Sequence, residues 1–437
     1  MTRCRRAWPN LAASALALVG LVGVASAQTP APAPPPEAPA LAPAPDWSLQ
    51  ARQRLAGLPV AHPDQALAER SRLLDEGERQ LAAGQPDQAQ DVLDRAAMML
   101  HAADTEAALV RAYMQAGQYR RALAFGAHAA GAHRRDWPAG TALYAWLLQV
   151  GGQSVVARRV LDEALALAPD DAALRSASHQ LNRPWPAPDA VLRQPPLRTA
   201  PYAWGAEPPA DSEVVGSGVL LDDGVSAAVP TTTLGPAPLA HSPVWLRNGL
   251  GQTVSARLQA RDEGLGLTTL RLDSPLPRAT LAAARREPFA GSPGYMVEYA
   301  PTHSPSAAWP LLRQGFFARL TTDAGLRRLG LDAPAGPRGG PVFNARGEFA
   351  GVAVPGSDGP DRLVPASMPV LRAALPGAPP AAAGGQGHAP EPAVAHQPGT
   401  GDVDAIYEQS LRIALQVIRV TAPTRREAGP AATRPGH

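Results

Sequence analysis

Apolar and polar positions change rhythm several times along the chain. After MTRCRR comes one continuous apolar run, LAASALALVGLVGVA, ending in the small residues ASA. The run is short for a span and closes on a small-x-small site, the pattern of a cleaved export leader over residues 1–27. Residues 28–46, including TPAPAPPPEAPALAPAP, hold almost nothing but Pro and Ala and predict an extended tether. Over residues 47–182 apolar positions recur at helical spacing in an Ala-, Leu-, Gln- and Arg-rich background. A second Pro-rich connection, 183–202, leads to residues 203–375. There apolar residues come in short runs such as SAAVP, VWLRNG, LTTLRL and GYMVEYA, broken by Gly, Pro and Asn. Short runs between turn residues predict an all-β barrel or sandwich, with DDG, RNG and ARGE as hairpin turns and PASMPVLRAAL as a closing helix. Residues 376–401 read as a disordered linker. DVDAIYEQSLRIALQVIRV predicts an amphipathic helix over 402–421, and 422–437 a disordered tail.

The helical stretch repeats. AAGQPDQAQDVLDRAA, QAGQYRRALAFGAHAA and VGGQSVVARRVLDEAL align without gaps, with Gly-Gln pairs beginning at Gly84, Gly117 and Gly152, periods of 33 and 35 residues. Five positions on stand Ala89, Ala122 and Ala157; twelve positions on stand Ala96, Ala129 and Ala164. Glycine suits the turn between two helices, and alanine the places where helices approach too closely for a larger side chain. These recurrences resemble the tetratricopeptide repeat, whose unit is about 34 residues. Gly77 and Tyr113 fit that pattern as well, whereas Gln80 and Leu148 stand in place of its aromatic residue. A degenerate unit before Arg70 and a capping helix at DDAALRSASHQL complete the expected array. The resemblance implies a solenoid whose concave groove receives a peptide or partner protein.

Composition narrows the chemistry. The 40 basic residues are all arginine, so no lysine nucleophile, Ser-Lys dyad or phosphate-loop lysine is available. The one cysteine, Cys4, lies in the leader, which leaves the mature chain without a disulfide or a Cys-ligated metal and suits a bacterial periplasm. Removing Arg3, Arg5 and Arg6 with the leader takes the formal charge from +2 to −1. With no basic stripe interleaved with aromatics, nucleic-acid binding is disfavoured. No second apolar segment is long enough for a stable span once the leader is cleaved. His128 and His133 read as solvated helical histidines, and His388 and His396 fall in the linker, so neither a metal site nor any other cofactor is expected.

The third region carries ordered landmarks: GSGVLLDDG, then SAAVPTTTL, then NGLGQTVSARLQARDEGLGLTTLRL, then LDAPAGPRGGPVFNARGEFAGVAV, then RLVPASMPVLRAAL. In that order they resemble the trypsin-like serine proteases, particularly the exported HtrA-like branch, over about 170 residues. The resemblance implies two six-stranded barrels and a catalytic serine, histidine and aspartate. In this chain the histidine position holds Thr233, the aspartate position Gly266 and the serine position Arg338. Threonine offers no base titrating near neutrality, glycine no carboxylate, and arginine is a permanent cation. Gly336, Gly339 and Gly340 keep the backbone pattern that shapes an oxyanion loop. His241 and His303, the two histidines of the region, read as loop residues. Asp262 reads as a structural cap, and Ser217 belongs to the first-strand pattern.

The expectation is a multi-domain α plus β chain: a tetratricopeptide helical solenoid followed by a trypsin-like double β-barrel without its triad. It would be an exported, periplasmic protein- or peptide-binding scaffold in envelope assembly or quality control, with the solenoid groove as the first ligand surface and the degenerate cleft as the second. An active protease homologue is a further candidate partner. The alternative is an active serine endopeptidase with another catalytic arrangement.

Overall fold

The computed structural model describes residues 62–188, 190–194, 197–235, 244–278, 281–321, 325–331, 339–356, 361–372 and 402–420. The expected leader and tether, the linker 376–401 with His388 and His396, and the tail 422–437 lie outside the described residues. So do His241, Gly336 and Arg338.

Among the described residues, seven helices form the first part: α1 (Pro63–Ala82), α2 (Pro86–Met99), α3 (Ala103–Gln115), α4 (Tyr119–Ala132), α5 (Ala139–Val150), α6 (Ser154–Leu167) and α7 (Ala172–Leu181). Proline at the first turn of α1 and of α2 sets the helical φ without losing a needed N–H. Consecutive helices pack side by side, and α1 also touches α3, and α3 touches α5. The three Gly-Gln turns are one structure used three times. Gly84, Gly117 and Gly152 take φ of +73°, +73° and +83°. The following glutamine N–H donates to the carbonyl five residues back, Gln80, Tyr113 and Leu148, at 2.8 Å each time. Left-handed glycine with that bond terminates a helix and redirects the chain. Ala89, Ala122 and Ala157 are fully buried, as close helix approach requires.

The chain then runs through α8 (Ala190–Arg193) into β1 (Trp204–Gly205). This Pro-rich connection is packed: Leu192, Leu197 and Thr199 are buried. Its end lies on the face shared by α1 and α3. The Tyr202 N–H donates to Gln115 Oε1 at 3.1 Å, and its hydroxyl donates to Glu78. Glu78 also pairs with the buried Arg111, and Arg198 lies over the Tyr202 ring at 4.0 Å. Burial pulls the Arg111 guanidinium down to about 10.

Two barrels follow. The first holds β2 (Ser212–Leu220), β3 (Ser226–Pro230), β4 (Val244–Asn248), β5 (Gln252–Asp262) and β6 (Leu267–Leu272), with the one-turn helix α9 (Thr231–Leu234) after β3. The second is a closed ring of β7 (Pro293–Glu298), β8 (Leu311–Leu320), β9 (Arg327–Leu331), β10 (Pro341–Asn344), β11 (Phe349–Val354) and β12 (Arg362–Pro365), followed by α10 (Pro369–Arg372). DDG, RNG and ARGE turn the β2–β3, β4–β5 and β10–β11 hairpins.

The sixth strand of the first barrel comes from the far end of the chain. The segment expected as a single helix over 402–421 is helical only as α11 (Val403–Ile413); Ala414–Val420 is a strand, β13. It lies between β2 and β4, antiparallel to both, giving the order β5-β4-β13-β2-β3-β6, which β5 and β6 close by pairing. The barrel region therefore does not end near residue 375. The reason is burial on both faces: Ala414 to Ile418 are all at most 1% exposed, so the strand shows no alternation.

One apolar cluster runs through the helices, the first barrel and part of the second, while Met296, Phe317, Leu329, Val342, Ala350, Ala353 and Leu363 form a separate cluster in the second barrel. All three Gly-Gln turns face the barrel side. The Trp204 ring lies at Gly84, Arg412 donates to the carbonyls of Ala116 and Gly117, and Gln314 Nε2 donates to Gly152 O at 3.0 Å. From α11, Tyr407 packs edge-on against Tyr119 with ring centroids 4.5 Å apart. Glu408 accepts from the Arg120 backbone and guanidinium, and Asp404 accepts from Gln153 at 2.8 Å.

Candidate functional site

The cleft forms where β3 ends. Pro230 stops the strand, α9 makes one turn, and Gly235 at φ +75° leaves it. The turn is tied to the β5–β6 loop: the Thr231 N–H donates to Gly266 O at 2.8 Å, and the Thr231 and Thr268 hydroxyls lie 3.0 Å apart. These bonds bring the segments of Thr233 and Gly266 together. Thr233 is buried beneath Gly216, whose absent side chain permits the approach; a Cβ there would stand 2.8 Å from Thr233 Cγ2. Gly266 has φ +65°, and a Cβ built on it meets nothing within 4 Å.

Gly339 and Gly340 enter between the barrels. A Cβ on Gly339 would lie 2.2 Å from Ser217 O and 2.8 Å from the Pro230 ring, and one on Gly340 would lie 2.1 Å from Val297 O. The pair therefore has a packing reason to be glycine that is independent of any oxyanion. Ser217 Oγ accepts the Tyr299 N–H at 2.7 Å, so that hydroxyl joins β2 to the end of β7. Asp262 caps the β5–β6 turn through the Leu265 N–H at 3.0 Å.

A cavity of about 310 Å³ opens beside Thr232 and Thr233, walled by Glu213, Thr302, His303 and Arg419. Arg419, opposite Glu213 across the β13–β2 pair, donates to Leu234 O at 2.9 Å and stands 3.9 Å from the Glu213 carboxylate. His303 is fully exposed with Nδ1 3.5 Å from Glu213 Oε2. Among the described residues of the barrels it is the only imidazole, and it faces a carboxylate rather than a serine. The wall is thus a cation, an anion, an imidazole and hydroxyls, a set suited to polar recognition. Neither Glu213 nor Arg419 stands out in the sequence, because their juxtaposition depends on where β13 pairs.

A second polar cluster lies in the helical part. His133 is not solvated: it is buried, with Nε2 3.0 Å from Glu106 Oε1. His101 Nδ1 lies 2.9 Å from the same oxygen and His128 Nε2 4.0 Å. His128 and His133 are five positions apart with four residues between them, a spacing within the H-x₃₋₅-H range of zinc ligands. His101 and Glu106 were not visible as members, since only the pairing of α3 with α4 brings them in.

Residues 210–352 match the family model of the trypsin-like peptidase domain. The match spans Thr233, Gly266 and Gly339–Gly340 and ends before β12 and β13. Among solved structures, the chain is similar to the MamO protease domain from Magnetospirillum magneticum in its apo form, at 15% identity over 36% of this chain and 95% of that one, with a TM-score of 0.27. No curated protein matches the chain. Among the described residues, no helix is long and apolar enough to cross a membrane.

Proposed function

We propose that the chain is an exported scaffold in which a tetratricopeptide-type helical solenoid and a trypsin-like domain without turnover form one binding body. Its work is protein or peptide binding in assembly or quality control of the bacterial envelope. One observation carries the reading: at the end of β3, where the fold family needs a general base, stands the buried Thr233, tied through its own turn to Gly266. A threonine hydroxyl cannot take a proton from a nucleophile at neutral pH, and glycine cannot orient a base. Position 338 is arginine, which cannot attack a carbonyl. Without a triad, binding and oxyanion contacts leave an acceleration of roughly 10³–10⁴ over water, negligible for peptide hydrolysis.

The ligand surface favoured here is the barrel cleft. The face of α1 and α3 that would serve as the solenoid groove is taken up by Tyr202 and Arg198 of the same chain. The cleft beside Thr233 offers Arg419 for a carboxylate and Glu213 for a cation.

The test is a fluorophosphonate probe on the full-length purified protein, alongside unfolded casein as substrate. The expected result is no labelled serine and intact casein. Stoichiometric labelling of one serine would establish a working hydrolase in its place. Casein-derived peptides followed by fluorescence anisotropy then assign the surface: Arg419→Ala should weaken binding, and unchanged affinity removes the cleft from the reading.

A further inference from the structure

We infer that His101, Glu106 and His133, with His128 at the rim, form a site for a first-row transition-metal dication of the zinc class. The site is built by two antiparallel helices. Glu106 lies in the first turns of α3, and His101 in the connection that precedes it. His128 lies about one turn before the end of α4, and His133 is its C-terminal cap. The Gly117 turn joins the other ends of α3 and α4, so the cluster lies at the edge of the helical layer opposite the barrels, about 20 Å away by helix length.

The geometry is that of a ligand shell. One donor atom from each of His101, Glu106 and His133 lies within 4.8 Å of the other two. The three imidazole nitrogens stand 2.9, 3.0 and 4.0 Å from Glu106 Oε1. A tetrahedral ion with bonds of 2.0–2.1 Å separates its ligands by about 3.4 Å, so these spacings bracket the value required. Entry of an ion needs side-chain movements on the order of an ångström or less at most donors.

Burial gives the second, independent pointer. Glu106 is 0% exposed, and its other oxygen, Oε2, is buried with no hydrogen-bond partner. Histidine contacts to Oε1 alone leave that oxygen unsatisfied, whereas a dication compensates the whole carboxylate. The floor, Glu106 and His133, is closed. The rim is open, His101 and His128 being 48% and 57% exposed, so an ion can enter and keep a water ligand. Phe125 packs beside both rim histidines, 6.3 Å from His101 and 6.1 Å from His128 by ring centroid, and the two imidazoles are 5.7 Å from each other. Nitrogen donors with one carboxylate select zinc, copper, nickel or cobalt over magnesium or calcium.

The experiment uses the full-length protein without a histidine tag, stripped with a chelator and dialysed against Zn²⁺, with metal counted by mass spectrometry and Co²⁺ absorption as the spectroscopic readout. One zinc per chain is expected. Glu106→Gln, which keeps the shape, and the double variant of the exposed pair, His101→Ala with His128→Ala, should each weaken binding at least about tenfold. His62→Ala, an exposed histidine before α1, should not. Circular dichroism verifies that each variant is folded. Substoichiometric zinc in the wild type overturns the assignment, and so does binding that survives both substitutions or falls equally in His62→Ala.

Discussion

Ending the chain at Gly401 should destroy the first barrel. The cut removes α11 and β13, and β13 is an interior strand: it pairs with β2 from Ala414 to Val420 and with β4 from Leu415 to Arg419. Two strands inside a closed ring would lose their partner together. The segment also inserts Ile406, Tyr407, Leu411, Ile413, Leu415, Val417 and Ile418, each at most 1% exposed. Truncating one such residue to alanine costs about 2–5 kcal/mol, because a cavity remains where the side chain was. Losing three of them already spans the 5–15 kcal/mol by which a domain is stable. A helix that served only to join copies of the chain would behave in the opposite way: its loss would change mass in solution and leave the melting temperature alone.

The assay is near-UV circular dichroism with limited thermolysin digestion of the truncated protein. Loss of the aromatic signal and rapid cleavage within 203–275 are expected. Adding a synthetic peptide of residues 402–421 should restore protection, since the missing strand carries its own register. A truncated protein that melts within about 2 °C of the full chain, a shift of under 1 kcal/mol, would refute the argument.

Two smaller perturbations test the contacts between helices and barrels. Gly84→Ala and Gly117→Ala share the same φ of +73°, but the new Cβ would meet the Trp204 ring at 2.4 Å in the first and the far end of the unbranched Arg412 side chain at 2.7 Å in the second. Both should pay the left-handed penalty of about 1–2 kcal/mol, and Gly84→Ala should lose clearly more; equal losses in urea titration would contradict the Trp204 contact. Burial, then the neighbouring Asp402, raises the Asp404 carboxyl above its ordinary value, against the Gln153 bond and the Arg120 charge. A raised carboxyl stabilises the fold below its unfolded value of about 3.9 and loses that contribution as pH rises through the folded value. Asp404→Asn, always neutral, should flatten the melting temperature above about pH 4 and raise it at pH 7; parallel wild-type and variant curves would count against the cause.

What was legible in the sequence is what depends on neighbours along the chain. The Gly-Gln turns could be read because a left-handed glycine is dictated by four or five local residues, and the same local bond recurs at Gly84, Gly117 and Gly152. The hairpins at DDG, RNG and ARGE are local in the same sense. The strand β13 could not be read. ALQVIRV continues an amphipathic helical pattern from α11, and a strand buried on both faces has no period of two to betray it. Arg419 entered the cleft, and Glu106 gathered its histidines, through pairings between distant segments. The Pro-rich stretch before β1 looked like a spacer because proline content reports backbone stiffness, not whether Leu192 or Tyr202 finds a surface.

The position of β13 changes how the two halves must be regarded. The strand that completes the first barrel is covalently continuous with the helix that seats the barrels on the helical layer. Along nineteen residues the chain places Tyr407 on Tyr119, Glu408 on Arg120 and Arg412 on Gly117, then enters the ring at Ala414. Separating the layers would strip water-excluded tyrosines: Tyr119 and Tyr407 have hydroxyls raised well above their ordinary values by burial, Tyr407 donating to Pro310 O on the barrel side. Neither layer can therefore shift without straining β13, and an event at either surface acts on a single body. Isolated pieces of this chain would not test the proposed binding, because the barrel fragment ending near residue 375 lacks a strand and the helical fragment exposes the face that α11 covers.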